Sequence, residues 1–121
     1  RPPPQRRIVV CAGTGSRTDD TLIAFGRAIG AFYSRVHLRD SDPRRRTIGE
    51  TTDYVRKGLD QEGMDMANVI DHGASEFDAI AAALNEAKEG DFVHLQVDDV
   101  DGSVAQVQAW RRSREVQEPS A

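Results

Sequence analysis

The feature that most constrains this chain is an alternation of short, β-branched apolar runs with longer segments of helical periodicity. Arg7-Ile8-Val9-Val10-Cys11-Ala12 is the first such run and ends at Gly13. Successive residues of either parity are apolar, which predicts a strand buried on two faces. Thr18-Asp19-Asp20 then supplies an N-cap and first-turn acids, which favour the positive end of a helix dipole. Leu22, Ile23, Phe25, Gly26, Ile29 and Phe32 recur at helical spacing to about residue 33. Residues 34–38 predict a second strand. Thr47-Ile48-Gly49-Glu50 has the form of a capping box, so a second helix is expected from there to about residue 60. Ile48, Thr52, Val55 and Leu59 would face inward, and Gly63 would follow its end. Residues 67–71 predict a weaker third strand, Ser75-Glu76-Phe77-Asp78 opens a third helix, residues 91–97 predict a fourth strand, and 100–112 a fourth helix carrying Trp110.

The order β-α-β-α-β-α-β-α implies parallel strands joined by right-handed crossovers. The expected fold is therefore α/β: a Rossmann-like three-layer sandwich with a mainly parallel sheet of about four strands. Residues 1–6, rich in proline, are expected to be a disordered or linker start. Residues 7–113 would form one domain and residues 114–121 a polar, disordered tail. The 121 residues suit a single domain, and the absence of an initiator Met suggests a piece of something longer.

A single cysteine, Cys11, excludes an internal disulfide and fits a cytoplasmic location. Its apolar surroundings predict a small buried hydrophobe. No run approaches the roughly 20 apolar residues that a membrane span needs, and no signal-peptide core is visible, so no membrane association is expected. The net charge of −4 is unevenly spread: residues 1–46 hold ten Arg against four Asp, and residues 47–121 hold six basic against sixteen acidic residues. The acidic total argues against nucleic-acid binding. The arginine-rich front either meets a local anionic ligand or is solvated surface.

In an open parallel sheet, ligands bind beyond the carboxyl ends of the strands. The first strand leads into Gly13-Thr14-Gly15-Ser16-Arg17, a glycine loop before a helix N-terminus, which suits an anion or is a plain turn. It is neither a dinucleotide fingerprint, since Thr18 stands where a third glycine would, nor a phosphate loop, since no Gly-Lys-Ser/Thr occurs. The second strand leads into Arg39-Asp40-Ser41-Asp42-Pro43-Arg44-Arg45-Arg46. Crowded cations repel unless an anion relieves them, and guanidinium groups grip carboxylates and phosphates in pairs. Asp40 and Asp42 could orient those arginines or meet a substrate amine. His72 follows Asp71 at the third strand's end and is the one histidine placed near a site. His37 and His94 read as buried or half-buried strand residues. No spacing forms a metal site or a Ser-His-Asp set, so no metal ligand and no catalytic residue is assigned. Asp98-Asp99 fits either magnesium binding or capping.

These motifs resemble the C-terminal domain of the Mur ligases, and within that family the C-terminal half of the cyanophycin synthetases. Gly15-Ser16-Arg17-Thr18-Asp19-Asp20 occupies the places of a Gly-Asp-Arg-Arg-Asp-Glu pattern, with Ser16 and Thr18 departing from it. Asp40-Ser41-Asp42-Pro43-Arg44-Arg45-Arg46 resembles an Asp-Asp-Asn-Pro-Arg or Asp-Asp-x-Arg-Gly-Arg segment. Glu76-Phe77-Asp78-Ala79-Ile80 and Glu89-Gly90-Asp91-Phe92-Val93 resemble a later helix and strand entry. The likeness covers roughly residues 6–110. It implies a lid that closes over the central ATPase domain of an ATP-dependent amino-acid ligase, inactive alone, with ATP and magnesium serving the full-length enzyme. It further implies a nucleotide-binding set of Gly13, Gly15, Ser16, Arg17 and Asp19. Asp40, Asp42, Arg44, Arg46 and His72 would face an amino-acid or peptide substrate. Two other classes stay open: a nucleotide- or dinucleotide-binding Rossmann-like module, in which Asp40 would take the ribose, and a non-enzymatic interaction domain whose arginines dock an acidic partner.

Overall fold

Strand β1 (Arg7–Cys11) pairs on both sides, with β2 (Arg35–Leu38) and with β4 (Phe92–Leu95), and β2 pairs in turn with β3 (Val69–Asp71). All pairings are parallel and the order is β3-β2-β1-β4. The computed structural model describes residues 6–13, 17–40, 47 and 49–117. Helices α1 (Asp19–Phe32) and α2 (Glu50–Gln61) cover one face of the sheet, and α3 (Glu76–Glu86) and α4 (Val100–Gln117) the other. This is the expected three-layer α/β sandwich.

The alternation within β1 divides two cores. Val9 and Cys11 join Leu22, Val36, Leu38, Val55 and Leu59 beneath α1 and α2. Ile8 and Val10 join Ala79, Ile80, Ala83 and Leu84 beneath α3, with Val107 and Trp110 of α4 packed alongside. Full burial of each aliphatic side chain contributes on the order of 1.5–3 kcal/mol. Cys11 is wholly buried, and burial pushes its thiol up to about 12 against the lowering pull of Arg39. It is an inert hydrophobe, as its neighbours in sequence imply.

Three local expectations need correction. The capping box at Thr47 does not form. Helix α2 begins at Glu50 behind Gly49, which sits at φ 92 and makes no side-chain cap. The Gly49 amide is instead taken by a carboxylate oxygen of Asp40 at 2.6 Å, so a distant strand end fixes where the helix starts. Ile48 lies outside the described residues. Helix α4 continues to Gln117, through the point where a tail was expected. Arg114 packs its guanidinium over Trp110 at 5.0 Å, and a cation in a last turn suits the helix dipole. Phe32 is about half exposed rather than inward, covered by the Arg7 guanidinium at 4.3 Å and edge-on to Tyr33. No helix among the described residues is long and apolar enough to cross a membrane.

Helices α1 and α2 touch backbone to backbone. A Cβ on Gly26 would run into the Val55 carbonyl oxygen, and one on Gly58 into the Ile23 carbonyl oxygen. Overpacking of this kind costs about 1–3 kcal/mol. Gly26→Ala and Gly58→Ala are each expected to lower the unfolding free energy by that amount, read as a lower urea midpoint at unchanged slope. Gly30→Ala, whose Cβ would meet the movable Glu62 side chain at 3.1 Å, is expected to cost clearly less.

Candidate functional site

The chain crosses from β1 to β2 over one face and from β3 to β4 over the other, so the segments that leave β1 and β4 turn to opposite faces of the sheet. Such a switch point opens a crevice. Here it is a cleft of about 450 Å³, bounded by Gly13, Arg17, Phe25, Arg39, Gln96 and Asp98. Thr18 caps α1 beside it, its hydroxyl accepting from the Thr21 amide at 3.2 Å. Gln96 closes the floor, with its side-chain oxygen accepting from the Ala12 amide at 3.3 Å.

The structure sorts the expected site residues unevenly. Gly13 ends β1 at the cleft, and its lack of a Cβ has a packing cause: one would lie 2.5 Å from the Leu22 side chain and 3.2 Å from that of Thr51. Arg17 and Asp19 are exposed, at the mouth and in the first turn of α1. Gly15, Ser16, Asp42, Arg44 and Arg46 lie outside the described residues. Asp40 is 4% exposed and holds Gly49, while its second carboxylate oxygen is buried without a hydrogen-bond partner. It ties the end of β2 to the start of α2 rather than standing open on the surface. His72 is half-buried at the end of β3, and its backbone amide continues the ladder by donating to the Leu38 carbonyl at 2.8 Å. Asp40 and His72 are thus on neighbouring strand ends, tied by the Asp40 amide donating to the Gly73 carbonyl at 2.7 Å.

The face of β2 beneath α3 carries a charged row. Arg35, His37 and Arg39 alternate with Val36 and Leu38, and α3 lies above them with a carboxylate at each end. At the cleft end, Arg39 is 4% exposed and pairs with Glu76 at 2.9 Å and Asp98 at 3.2 Å. Glu76 also accepts from the backbone amides of Asp98 and Asp99, which joins the β4–α4 loop to α3. At the other end, Glu86 receives two hydrogen bonds from Arg35, at 3.1 and 2.9 Å, and lies 3.1 Å from Nε2 of His37. His37 Nδ1 is 2.9 Å from Nε2 of His72, and the two rings stack. A continuous polar chain therefore runs from the amino end of β2 to the rim of the site.

Sequence reasoning missed Arg39, Glu76, Glu86 and the pairing of His37 with His72. The signal was the period of two in Arg35, His37 and Arg39, which puts all three on one face of a buried strand. His94, expected to be buried or half-buried, is exposed, since β4 is an edge strand whose outer side α1 does not cover; it meets the Tyr33 hydroxyl at 2.6 Å. Asp99 caps α4 through the Gly102 amide, and Asp98 pairs with Arg39. No cluster of three or more metal-ligating side chains occurs among the described residues.

Two outcomes follow from the charged row. Breaking a buried ion pair from one side leaves an uncompensated charge, at about 3–5 kcal/mol. Arg39→Ala is expected to destabilise the chain on that scale in urea, and Arg39→Met together with Glu76→Gln by much less. The second outcome concerns pH. Burial chiefly holds the His37 imidazole below its ordinary 6.5, against the attraction of Glu86. An unfolded chain protonates there first, so stability falls as pH drops below 6.5. Burial pushes the Glu86 carboxyl up, but the hydrogen bond from Arg35 and the charges of His37 and Arg35 outweigh it, leaving it below 4.5. Its contribution is present above 4.5 and lost as pH falls through the lower folded value. His37→Gln is expected to remove the first step of the thermal-denaturation profile against pH and to keep the second.

No protein-family model matches the chain. Cyanophycin synthetase from Geminocystis herdmanii (strain PCC 6308) is 26% identical over 110 residues, covering 90% of this chain. Cyanophycin synthetase from Synechocystis sp. (strain ATCC 27184 / PCC 6803 / Kazusa) is 29% identical over 105 residues, covering 86%. The chain spans 12% of the length of each. Among solved structures, a UDP-N-acetylmuramoyl-L-alanyl-D-glutamate–2,6-diaminopimelate ligase superposes with a TM-score of 0.63 at 17% identity, over 91% of this chain and 24% of that one. Likeness of sequence and likeness of fold agree, and both extend over most of the chain: it has the fold of part of this ligase, and its sequence is similar to part of the cyanophycin synthetases.

Proposed function

We propose that this chain acts as the lid of an ATP-dependent acid–amine ligase, closing over a central ATPase domain that carries the phosphate loop. The observation that carries this reading is the adjacency of β1 and β2 in a fold shared with such ligases. Gly13 at the end of β1 and Asp40 at the end of β2 lie at the same edge of the sheet, with His72 beside Asp40 at the end of β3. In this reading Gly13, Gly15, Ser16, Arg17 and Asp19 approach the nucleotide. Asp42, Arg44, Arg46 and His72 meet the incoming amino acid, and Asp40 holds their loop in shape through Gly49. An amino acid needs a cation for its carboxylate and acceptors for its amine. Magnesium and the phosphate cradle fall to the ATPase domain, and this chain supplies orientation and the exclusion of water from a hydrolysable intermediate. A lid of this kind lacks turnover by itself, and its cytoplasmic setting is where ATP is plentiful.

Isothermal titration of the chain with ATP, NAD, aspartate and arginine tests this. Weak binding of ATP and of at least one amino acid is expected, weakened further by Arg17→Ala for the nucleotide and Arg44→Ala for the amino acid. Tight NAD binding would favour a dinucleotide module instead. Silence toward every small ligand, with an acidic protein surface captured through Arg44 and Arg46, would favour an interaction domain.

A further inference from the structure

The polar chain beneath α3 has a direction. Glu86 takes two hydrogen bonds from Arg35 and lies below its ordinary titration range. It is a carboxylate and can only accept. His37, 1% exposed and held neutral by its burial, must therefore donate from Nε2 to Glu86. A neutral imidazole has one donor and one acceptor, so His37 Nδ1 is an acceptor. The atom facing it, Nε2 of His72 at 2.9 Å, must then be the donor. In the neutral ring this leaves His72 Nδ1 as a bare lone pair, and it has no partner among the described residues. A single carboxylate thus sets the tautomer of a ring two hydrogen bonds away, at the carboxyl end of β3 beside Asp40.

We propose that His72 is a hydrogen-bond acceptor for the amine of the incoming amino acid, with Glu86 and His37 as the positioning residues that hold its neutral ring in the tautomer whose proton is on Nε2. This deepens the ligase reading and rests on it for the identity of the guest. An acceptor whose proton cannot migrate to the wrong nitrogen, half-buried at the end of β3 beside Asp40, suits an amine N–H. A lone histidine in water exchanges between tautomers. Here the buried relay removes that freedom before the guest arrives, which is the preorganisation that makes a contact count toward binding. The chemistry involves no bond breaking: the guest N–H donates and the imidazole accepts.

The relay makes a reversal testable. Arg35 would keep the side-chain oxygen of a glutamine at position 86, turning its NH2 toward His37. Glu86→Gln should then make His37 Nε2 an acceptor and His37 Nδ1 a donor. His72 Nε2 would become an acceptor and carry its proton on Nδ1. Long-range proton–nitrogen NMR of the histidine rings reads these states directly. The wild-type chain is expected to show His72 protonated on Nε2 and bare on Nδ1, and the Glu86→Gln chain the opposite. Aspartate and arginine serve as probes, with binding followed through the same ring nitrogens. The amino acid that binds is expected to shift His72 Nδ1 and to bind about tenfold more weakly to Glu86→Gln, the loss of one hydrogen bond. His72→Gln keeps an amide at the Nε2 position and lacks the Nδ1 acceptor, so it should show the same loss with the fold intact. A wild-type His72 protonated on Nδ1 would overturn the relay, whatever the variants do. An amino acid that binds and moves rim resonances while leaving His72 Nδ1 unchanged would overturn the acceptor role alone. Binding of neither amino acid would overturn the ligase reading and the acceptor role with it.

Discussion

The structure depends on how one strand presents charge to one helix. β2 gives its apolar parity to α1 and α2 and its basic parity, Arg35, His37 and Arg39, to α3. Helix α3 answers with Glu86 at its carboxyl end and Glu76 at its amino end. Between those two pins its small apolar residues, Ala79, Ile80 and Ala83, press on Ile8 and Val10 of β1. The pins allow one register. Sliding α3 by a turn would leave a guanidinium or a carboxylate buried without a partner, at a cost of several kcal/mol.

That register reaches the candidate site from two directions. Through Glu76 the amino end of α3 holds Arg39 and the β4–α4 loop at Asp98 and Asp99, so the cleft between β1 and β4 has one wall anchored to the opposite layer. Through Glu86 the other end of α3 holds His37 and, behind it, His72. Asp40 makes the third tie, fastening the end of β2 to the start of α2 at Gly49. The rim formed by the ends of β1, β2 and β3 is therefore tied to the start of α2 and to the amino end of α3.

The fold was legible because its strongest signals are local. Apolar runs of the strand period, alternating with helical periodicity, give element order almost independently of what packs on what. Thr18 and Ser75 cap helices from within their own turn, and both were readable. The failures came where a distant group decides a local outcome. Gly49 rather than Thr47 starts α2, because a carboxylate nine residues away on β2 claims its amide. His94 is exposed because of its strand's place in the sheet, which order in sequence does not reveal. Asp40 and Gly13 were read as ligand contacts from their position at strand ends. Each has a structural duty of its own there, one as a buried tie and one as room for Leu22. Being at the rim places a residue near a guest, and only its remaining free atoms decide what it can offer that guest.

The two faces of the sheet accordingly do different work. The α1–α2 face is mainly apolar, with Thr51 and Thr52 its buried polar residues and Gly26 and Gly58 letting the helix backbones meet, and burial there supplies most of the driving force for folding. The α3 face mixes a smaller apolar patch with three basic side chains and two carboxylates. Buried ion pairs add little net stability, because desolvation offsets their attraction. What they add here is direction: one orientation for α3, one tautomer along His37 and His72, and one position for the loop at Asp98. A rim that positions a guest needs its groups fixed to a fraction of an ångström. The apolar face makes the domain stable, and the charged face determines the shape of its rim.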